Sequence, residues 1–224
     1  MAVNPSPATS TPLHLLHPID LASYGPVIPV LVLDRVEDAL PLARALYAGG
    51  VQVLEVTLRT PVALAAIAQI ARQLPEVVVG AGTVLSAGDA RRAREAGARF
   101  AVSPGYSREL GQACRALGLP LLPGVATASE IMAAFADGFQ FFKLFPAEVL
   151  GGLALLKAWA SPFRHVSFCP TGGITEATAP QYLALPNVRC VGGSWLAPAQ
   201  SVHAGDWARI TQLAREAQAL RPVR

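Results

Sequence analysis

Lysine is almost missing from this sequence. Its 224 residues include two, Lys143 and Lys157, against sixteen arginines. Charge of either sign is thin: 15% of residues are charged, and the net charge of +3 is spread along the chain without a basic block. Proteins whose main partner is nucleic acid cluster their basic residues, so that class is excluded. With 52% hydrophobic residues the chain is too apolar for extended disorder. Yet no apolar run approaches the ~18 residues that cross a bilayer, and no membrane partner is expected. Cysteine is scarce and odd in number, at Cys114, Cys169 and Cys190, with no C-x-x-C pair. A disulfide framework and a thiolate zinc site are both disfavoured, and a reducing, cytoplasmic setting is expected. Cys169 and Cys190 fall in strand-like stretches and read as small buried hydrophobes. The histidines, His14, His17, His165 and His203, have no metal-ligand spacing near a carboxylate; they read as surface or turn residues, and no metal is expected. The opening MAVNPSPATSTP has no basic stretch followed by an apolar core, so residues 1–12 read as a frayed tail, not a signal peptide.

What is present is a repeat. A short apolar run is followed by a Gly/Pro/Ser/Thr turn and then by an Ala/Leu/Arg-rich stretch of helical period. Strand-like runs are VIPVLVL (27–33), VQVLEVTL (51–58), VVVG (77–80), RFAVS (99–103), LPLLPG (119–124), FQFFKLF (139–145), VSFCP (166–170) and VRCVGG (188–193). Helix-like stretches follow at about 36–48, 61–74, 86–96, 107–117, 128–137, 151–160, 176–184 and 204–219. Runs that are apolar throughout, instead of alternating, indicate strands buried on both faces of a parallel sheet. Strand–helix alternation makes βαβ units, and eight of them closing on themselves make a (β/α)8 barrel. The alternative is a doubly wound open sheet, but no G-x-G-x-x-G follows the first strand. The stretch LHPIDLASYG reads as a short leading helix at the barrel bottom. Nothing marks a second domain, so residues 13–224 are expected to form one barrel.

Barrel enzymes place their chemistry at the C-terminal ends of the strands. The lysine is one such residue. In FQFFKLFPAE, Lys143 points to one face of its strand while Phe142 and Leu144 point to the other. If those two face the helices, Lys143 faces inward with Phe141 and Phe145. An amine of ordinary lysine pKa, ~10.4, is almost wholly charged at neutral pH. Burial and a neighbouring cation such as Arg59 would favour the neutral form that attacks a ketone. Two readings stand here: a Schiff-base nucleophile, or a lysine that snorkels to the mouth or sits in a structural ion pair. Scarcity elsewhere favours the first, because arginine serves this chain as its plain cation.

Other strand ends supply partners. Glu55 and Arg59, in LEVTLRT, fit a general acid/base and a bidentate carboxylate clamp, or else a salt bridge to each other. Thr83, after G-A-G, offers a hydroxyl beside free backbone N–H groups, or is part of a tight turn alone. Ser103-Pro104-Gly105 closes the fourth strand. Thr171-Gly172-Gly173 and Gly192-Gly193-Ser194 are candidates for phosphate, since glycines allow close backbone approach and each segment precedes a helix N-terminus. Glu148 reads as a charge at a helix N-terminus.

In this order and at these separations, LEVTLRT, VGAGTVL, SPG, FKLFPAE, CPTGGI and GGSWL resemble the 2-keto-3-deoxy-6-phosphogluconate aldolases, from about residue 22 to the C-terminus. The resemblance implies a (β/α)8 barrel, a class I aldolase, a cytoplasmic homotrimer, and no metal or other cofactor. It makes Lys143 the Schiff-base residue, Glu55 the general acid/base and Arg59 the ligand of the pyruvate carboxylate. Thr83 is implied to contact the pyruvate moiety, and Pro104 and Phe145 are taken to line the same end. Gly172, Gly173 and Ser194, with the Gly193 N–H, are implied to hold the phosphate. Threonine at Thr171, where related galacto-type enzymes have valine, implies preference for the gluconate-derived substrate. The implied reaction cleaves that phosphorylated sugar acid to pyruvate and glyceraldehyde 3-phosphate; 4-hydroxy-2-oxoglutarate is implied as a second substrate. Two rival readings, a phosphate-binding barrel isomerase and a non-catalytic phosphometabolite-binding barrel, have no use for an inward lysine and glutamate together.

Overall fold

The computed structural model describes residues 18–220, with side chains from residue 21 onward. The expected tail over residues 1–12, and His14 and His17, lie outside the described residues. A 3-10 helix over Pro18–Tyr24 leads in, where the sequence suggested a short leading helix. Strands and helices then alternate. The strands are β1 (Val27–Leu31), β2 (Val53–Thr57), β3 (Val78–Gly82), β4 (Ala101–Val102), β5 (Leu121–Leu122), β6 (Gly124–Val125), β7 (Phe141–Leu144), β8 (Ser167–Pro170) and β9 (Val191–Gly193). The helices are α1 (Ala39–Ala48), α2 (Ala63–Gln73), α3 (Ala87–Glu95), α4 (Arg108–Ala116), α5 (Ala128–Ala136), α6 (Gly152–Trp159), α7 (Ala179–Leu183), α8 (Ala199–His203) and α9 (Trp207–Ala219).

The strands pair in parallel. Six form a curled sheet in the order β5-β4-β3-β2-β1-β9, and three form a second sheet in the order β6-β7-β8. The break between the sheets is local. The sequence suggested one strand over 119–124, and β5 and β6 are that run interrupted at Pro123, which has no N–H for a ladder. At the other flank, isolated parallel bridges join Phe168 to Val188 and Thr171 to Gly192. The last expected helical stretch, 204–219, is α9, and a short helix that the sequence reading did not include, α8, precedes it. The two are separate because Gly205 adopts φ +66 after α8 and the Asp206 side chain caps α9 by accepting from the Arg209 N–H.

Both faces of the sheets are buried, as the unbroken apolar runs required. Leu54, Val56, Val79, Ala101, Phe142, Leu144 and Phe168 point outward into a core shared with the helices. Their alternates, Ile28, Val53, Val78, Val102, Leu122, Phe141 and Cys169, point inward and pack with Phe100, Cys190 and Leu21 of the leading turn. Burying one such large side chain contributes ~1.5–3 kcal/mol relative to exposure. This inner cluster fills one level of the curl. One step further along β2 and β7, on the same face, the sequence places Glu55 and Lys143.

Candidate active site

Strand alternation aims Lys143 inward, since Phe142 and Leu144 on either side belong to the outer core. It is 5% exposed, and Glu55 across the inner face is 3% exposed. Lys143 Nζ donates to Glu55 Oε1 at 3.1 Å. Each charge makes the other tolerable; removing one partner would leave an uncompensated buried charge. The Phe145 ring lies 5.2 Å from Nζ, within cation–π range. One glycine makes room for the pair, and another lets the neighbouring strand end approach. A Cβ on Gly82 would occupy the space of the Glu55 carboxylate, and a Cβ on Gly124, the ladder partner of Lys143, would strike the Pro104 backbone.

Glu55 therefore pairs with Lys143, and the alternative of a Glu55–Arg59 salt bridge is not what forms. Arg59 is exposed and its guanidinium meets no carboxylate among the described residues. Its Nε donates instead to Thr57 Oγ1 at 3.1 Å, and that hydroxyl donates to the Leu31 carbonyl at 2.9 Å. Thr57 is buried, inward-facing, two residues after Glu55 on β2. Sequence reading passed over it, although its phase with Glu55 was visible. The relay fixes one edge of the guanidinium and leaves its Nη edge for an anion.

Thr83 has φ +57, and it is the one non-glycine residue in the left-handed region among those described. For a β-branched side chain this costs ~1–3 kcal/mol, and such strain gathers at functional sites. It follows Gly82, so the strained residue sits next to the glycine that accommodates Glu55. Pro104 and Phe145 are half-buried beside this group, and Ser103, buried on the same strand end, accepts from the Gly105 N–H at 3.4 Å. The three cysteines are buried and unpaired by disulfides. A hydrogen bond to Cys169, then burial, pushes the Cys190 thiol well above its ordinary range. Both cysteines are inner-core residues, as their strand positions suggested.

At the far end, the Thr171–Gly192 bridge brings the two glycine segments side by side. Gly172 and Gly173 take φ +101 and +82. The N–H groups of Gly172, Gly173 and Ser194 find no hydrogen-bond partner among the described residues. Ser194 is exposed, while Gly193 is buried under the Trp195 ring, which fills the place of any Cβ. The buried Thr171 hydroxyl donates to the Cys169 carbonyl at 3.3 Å. The expected helix N-termini are not at these turns: α7 and α8 have five residues each and begin beyond them, at Ala179 and Ala199. An anion here meets turn N–H groups, not a helix dipole. Glu148 is likewise not a helix-terminal charge, since α6 begins at Gly152 and the Glu148 carboxylate accepts from Tyr182 Oη at 2.5 Å.

His165 and His203 are exposed, and His203 lies 3.5 Å from Asp34 on the surface. Among the described residues, no group of three or more His, Cys, Asp or Glu side chains could hold a metal ion, and no helix is long and apolar enough to cross a membrane.

Comparison with known proteins agrees with this geometry. The family model for KDPG and KHG aldolases matches residues 20–213. The KHG/KDPG aldolase of Escherichia coli K12 is 54% identical over 197 residues, 88% of this chain and 92% of the relative. A Legionella pneumophila KDPG aldolase, solved with pyruvate captured as a covalent carbinolamine, superposes with a TM-score of 0.89 at 48% identity, covering 91% of this chain and 98% of that one. The Zymomonas mobilis enzyme solved with 3-phosphoglycerate gives a TM-score of 0.87 at 52% identity, covering 92% and 97%.

Proposed function

The chain belongs to the KDPG and KHG aldolase family, and from that membership we propose that it is a class I aldolase, a carbon–carbon lyase. It cleaves 2-dehydro-3-deoxy-6-phospho-D-gluconate to pyruvate and D-glyceraldehyde 3-phosphate, a reaction of the Entner–Doudoroff route, and cleaves 4-hydroxy-2-oxoglutarate to pyruvate and glyoxylate. The observation that carries the reading is the buried contact of 3.1 Å between Lys143 Nζ and Glu55 Oε1. An amine that must become a nucleophile needs a proton acceptor within hydrogen-bond reach, and it has one.

Lys143 attacks the C2 ketone, and Glu55 relays protons as the carbinolamine loses water. The iminium then serves as an electron sink. Through a water, Glu55 takes the C4 hydroxyl proton; the C3–C4 bond breaks and its electrons pass to the iminium, giving an enamine. Glyceraldehyde 3-phosphate leaves, C3 is protonated, and hydrolysis frees pyruvate and Lys143. Arg59, oriented through Thr57, holds the carboxylate, with Thr83, Pro104 and Phe145 around the keto acid. Gly172, Gly173 and Ser194 hold the phosphate; the Gly193 N–H, expected to join them, is taken up by the parallel ladder with β1, where Gly193 pairs with Pro29. Thr171 faces the C4 hydroxyl; its own proton is directed to Cys169 O, which supports an acceptor role.

The same reading includes a closed (β/α)8 barrel as a single domain over residues 13–224. It is supported by β5 and β6 being one interrupted run and by the bridges that link the flanks of β8 and β9. A cytoplasmic homotrimer completes it. Self-association is supported by Met132 and Phe135, exposed three residues apart on α5, and by Val149, 83% exposed.

The test is covalent trapping. Incubation with pyruvate and borohydride should add one reduced pyruvyl group, found on Lys143 by peptide mass spectrometry. An intact mass without the adduct, or an adduct on Lys157, excludes this mechanism.

A further inference from the structure

The glycine turn at the far end of the site is held from behind by a residue that no motif pointed to. Tyr182, on α7, heads the large fully buried side chains among the described residues. A buried phenol needs a partner, and Tyr182 Oη donates to Glu148 Oε1 at 2.5 Å. Burial, and then this carboxylate, push the phenol above its ordinary range, so it stays a donor. Glu148 reaches the phenol by lying across Gly173: a Cβ there would meet Glu148 Cγ at 2.6 Å and Cβ at 2.7 Å. The Glu148 N–H donates to the Gly172 carbonyl at 3.1 Å, and the Ala147 N–H to the Thr171 carbonyl at 2.8 Å. The carbonyls of the turn are thereby drawn to one side, while the Gly172 and Gly173 N–H groups have no protein partner. Glycines at φ +101 and +82 have many other conformations open to them, so the turn keeps this one only if its surroundings impose it.

We infer that Tyr182 and Glu148 form a clamp, two positioning residues that set the Gly172–Gly173 turn for the phosphate of the substrate. The inference rests on the aldolase reading and deepens it. The clamp acts in two ways. It fixes the orientation of the free N–H groups, and it ties back a carboxylate that would otherwise be loose beside an anion. No lysine or arginine lies in 145–149, 171–178 or 191–198 to offset that charge. Among the described residues no hydrogen bond or ion pair joins Tyr182 or Glu148 to Lys143 or Glu55, which pair with each other, so the clamp is expected to bear on the phosphate.

Tyr182→Phe and Glu148→Ala each remove the bond, whereas Glu148→Gln keeps a carbonyl oxygen for the phenol. For the first two, KM for the phosphorylated sugar acid should rise about tenfold, the scale of one hydrogen bond to a charged group, with kcat within about twofold. Half-saturation by pyruvate in borohydride trapping, which involves no phosphate, should stay within about twofold in all three. Glu148→Gln should restore KM to near normal. Equal shifts for pyruvate and the phosphorylated substrate would overturn the clamp, as would unchanged KM in both Tyr182→Phe and Glu148→Ala, or failure of Glu148→Gln to rescue. An unmodified enzyme that forms no pyruvyl adduct overturns the aldolase reading itself, a different result from an active enzyme with insensitive clamp variants.

Discussion

Lys143 and Glu55 hang from β7 and β2, where neighbouring strands fix the backbone and Phe141 and Val53 pack below them. Gly172, Gly173 and Ser194 lie past the strand ends, with N–H groups that have no protein partner among the described residues; Gly172 rests against Pro146 and the Phe145 ring, and Gly173 against Glu148. The first region keeps two charges out of water and must be rigid, because a buried ion pair repays its desolvation only with good geometry. The second offers dipoles to an anion that brings its own charge. It needs only backbone amides at the right angle, and these can be supplied by a turn. The difference predicts that damage at the lysine end falls on every substrate, and damage at the glycine end on phosphorylated ones alone.

The severest break is Lys143→Arg. The guanidinium stays charged and forms no Schiff base, so cleavage of both substrates should be abolished. A variant retaining a tenth of normal kcat, a barrier change of ~1.4 kcal/mol, would exclude Lys143 as the nucleophile. Glu55→Gln comes next. Loss of the general acid/base should slow turnover by roughly 10²–10⁴ on both substrates, and exchange of pyruvate methyl protons with solvent should slow with it. Methyl exchange at the normal rate, followed by NMR in D2O, would remove Glu55 from its role.

Ser194→Asp tests the opposite end. A carboxylate facing the phosphate should raise KM for the phosphorylated substrate on the order of 100-fold, a repulsion of ~3 kcal/mol at partial exposure. Cleavage of 4-hydroxy-2-oxoglutarate should be spared. Equal loss on both would mean that Ser194 shapes the whole mouth. The mildest change returns to the carboxylate clamp. Thr57→Val removes the acceptor that orients Arg59 Nε and should raise KM for both substrates by about tenfold, with kcat nearly kept. A rise confined to the phosphorylated substrate would contradict the placement of Arg59 at the pyruvate end.

The lysine end was legible because its logic is local. A charged residue inside an apolar run, in phase with inward residues, can be read from a period of two. The glycine end was only half legible. G-G on two successive strand ends marked a place for an anion, but the sequence suggested helix dipoles there, and α7 and α8 are short and displaced. In the sequence Glu148 looks like a helix-terminal charge, because its partner, Tyr182, is 34 positions away. Thr57 lay in phase with Glu55, yet its use depends on the Leu31 carbonyl 26 positions earlier.

By itself, the sequence determined which residues face inward, since strand alternation and the apolar pattern leave little choice, and so put Glu55 and Lys143 on one face. Only the tertiary structure decided that those two charges meet. They are 88 positions apart, and distance across a curled sheet is set by how several parallel strands pack, not by any local propensity. The same is true of the strained Thr83 at φ +57. No threonine prefers that conformation, and it persists because the packed strands around it are worth more than the strain costs.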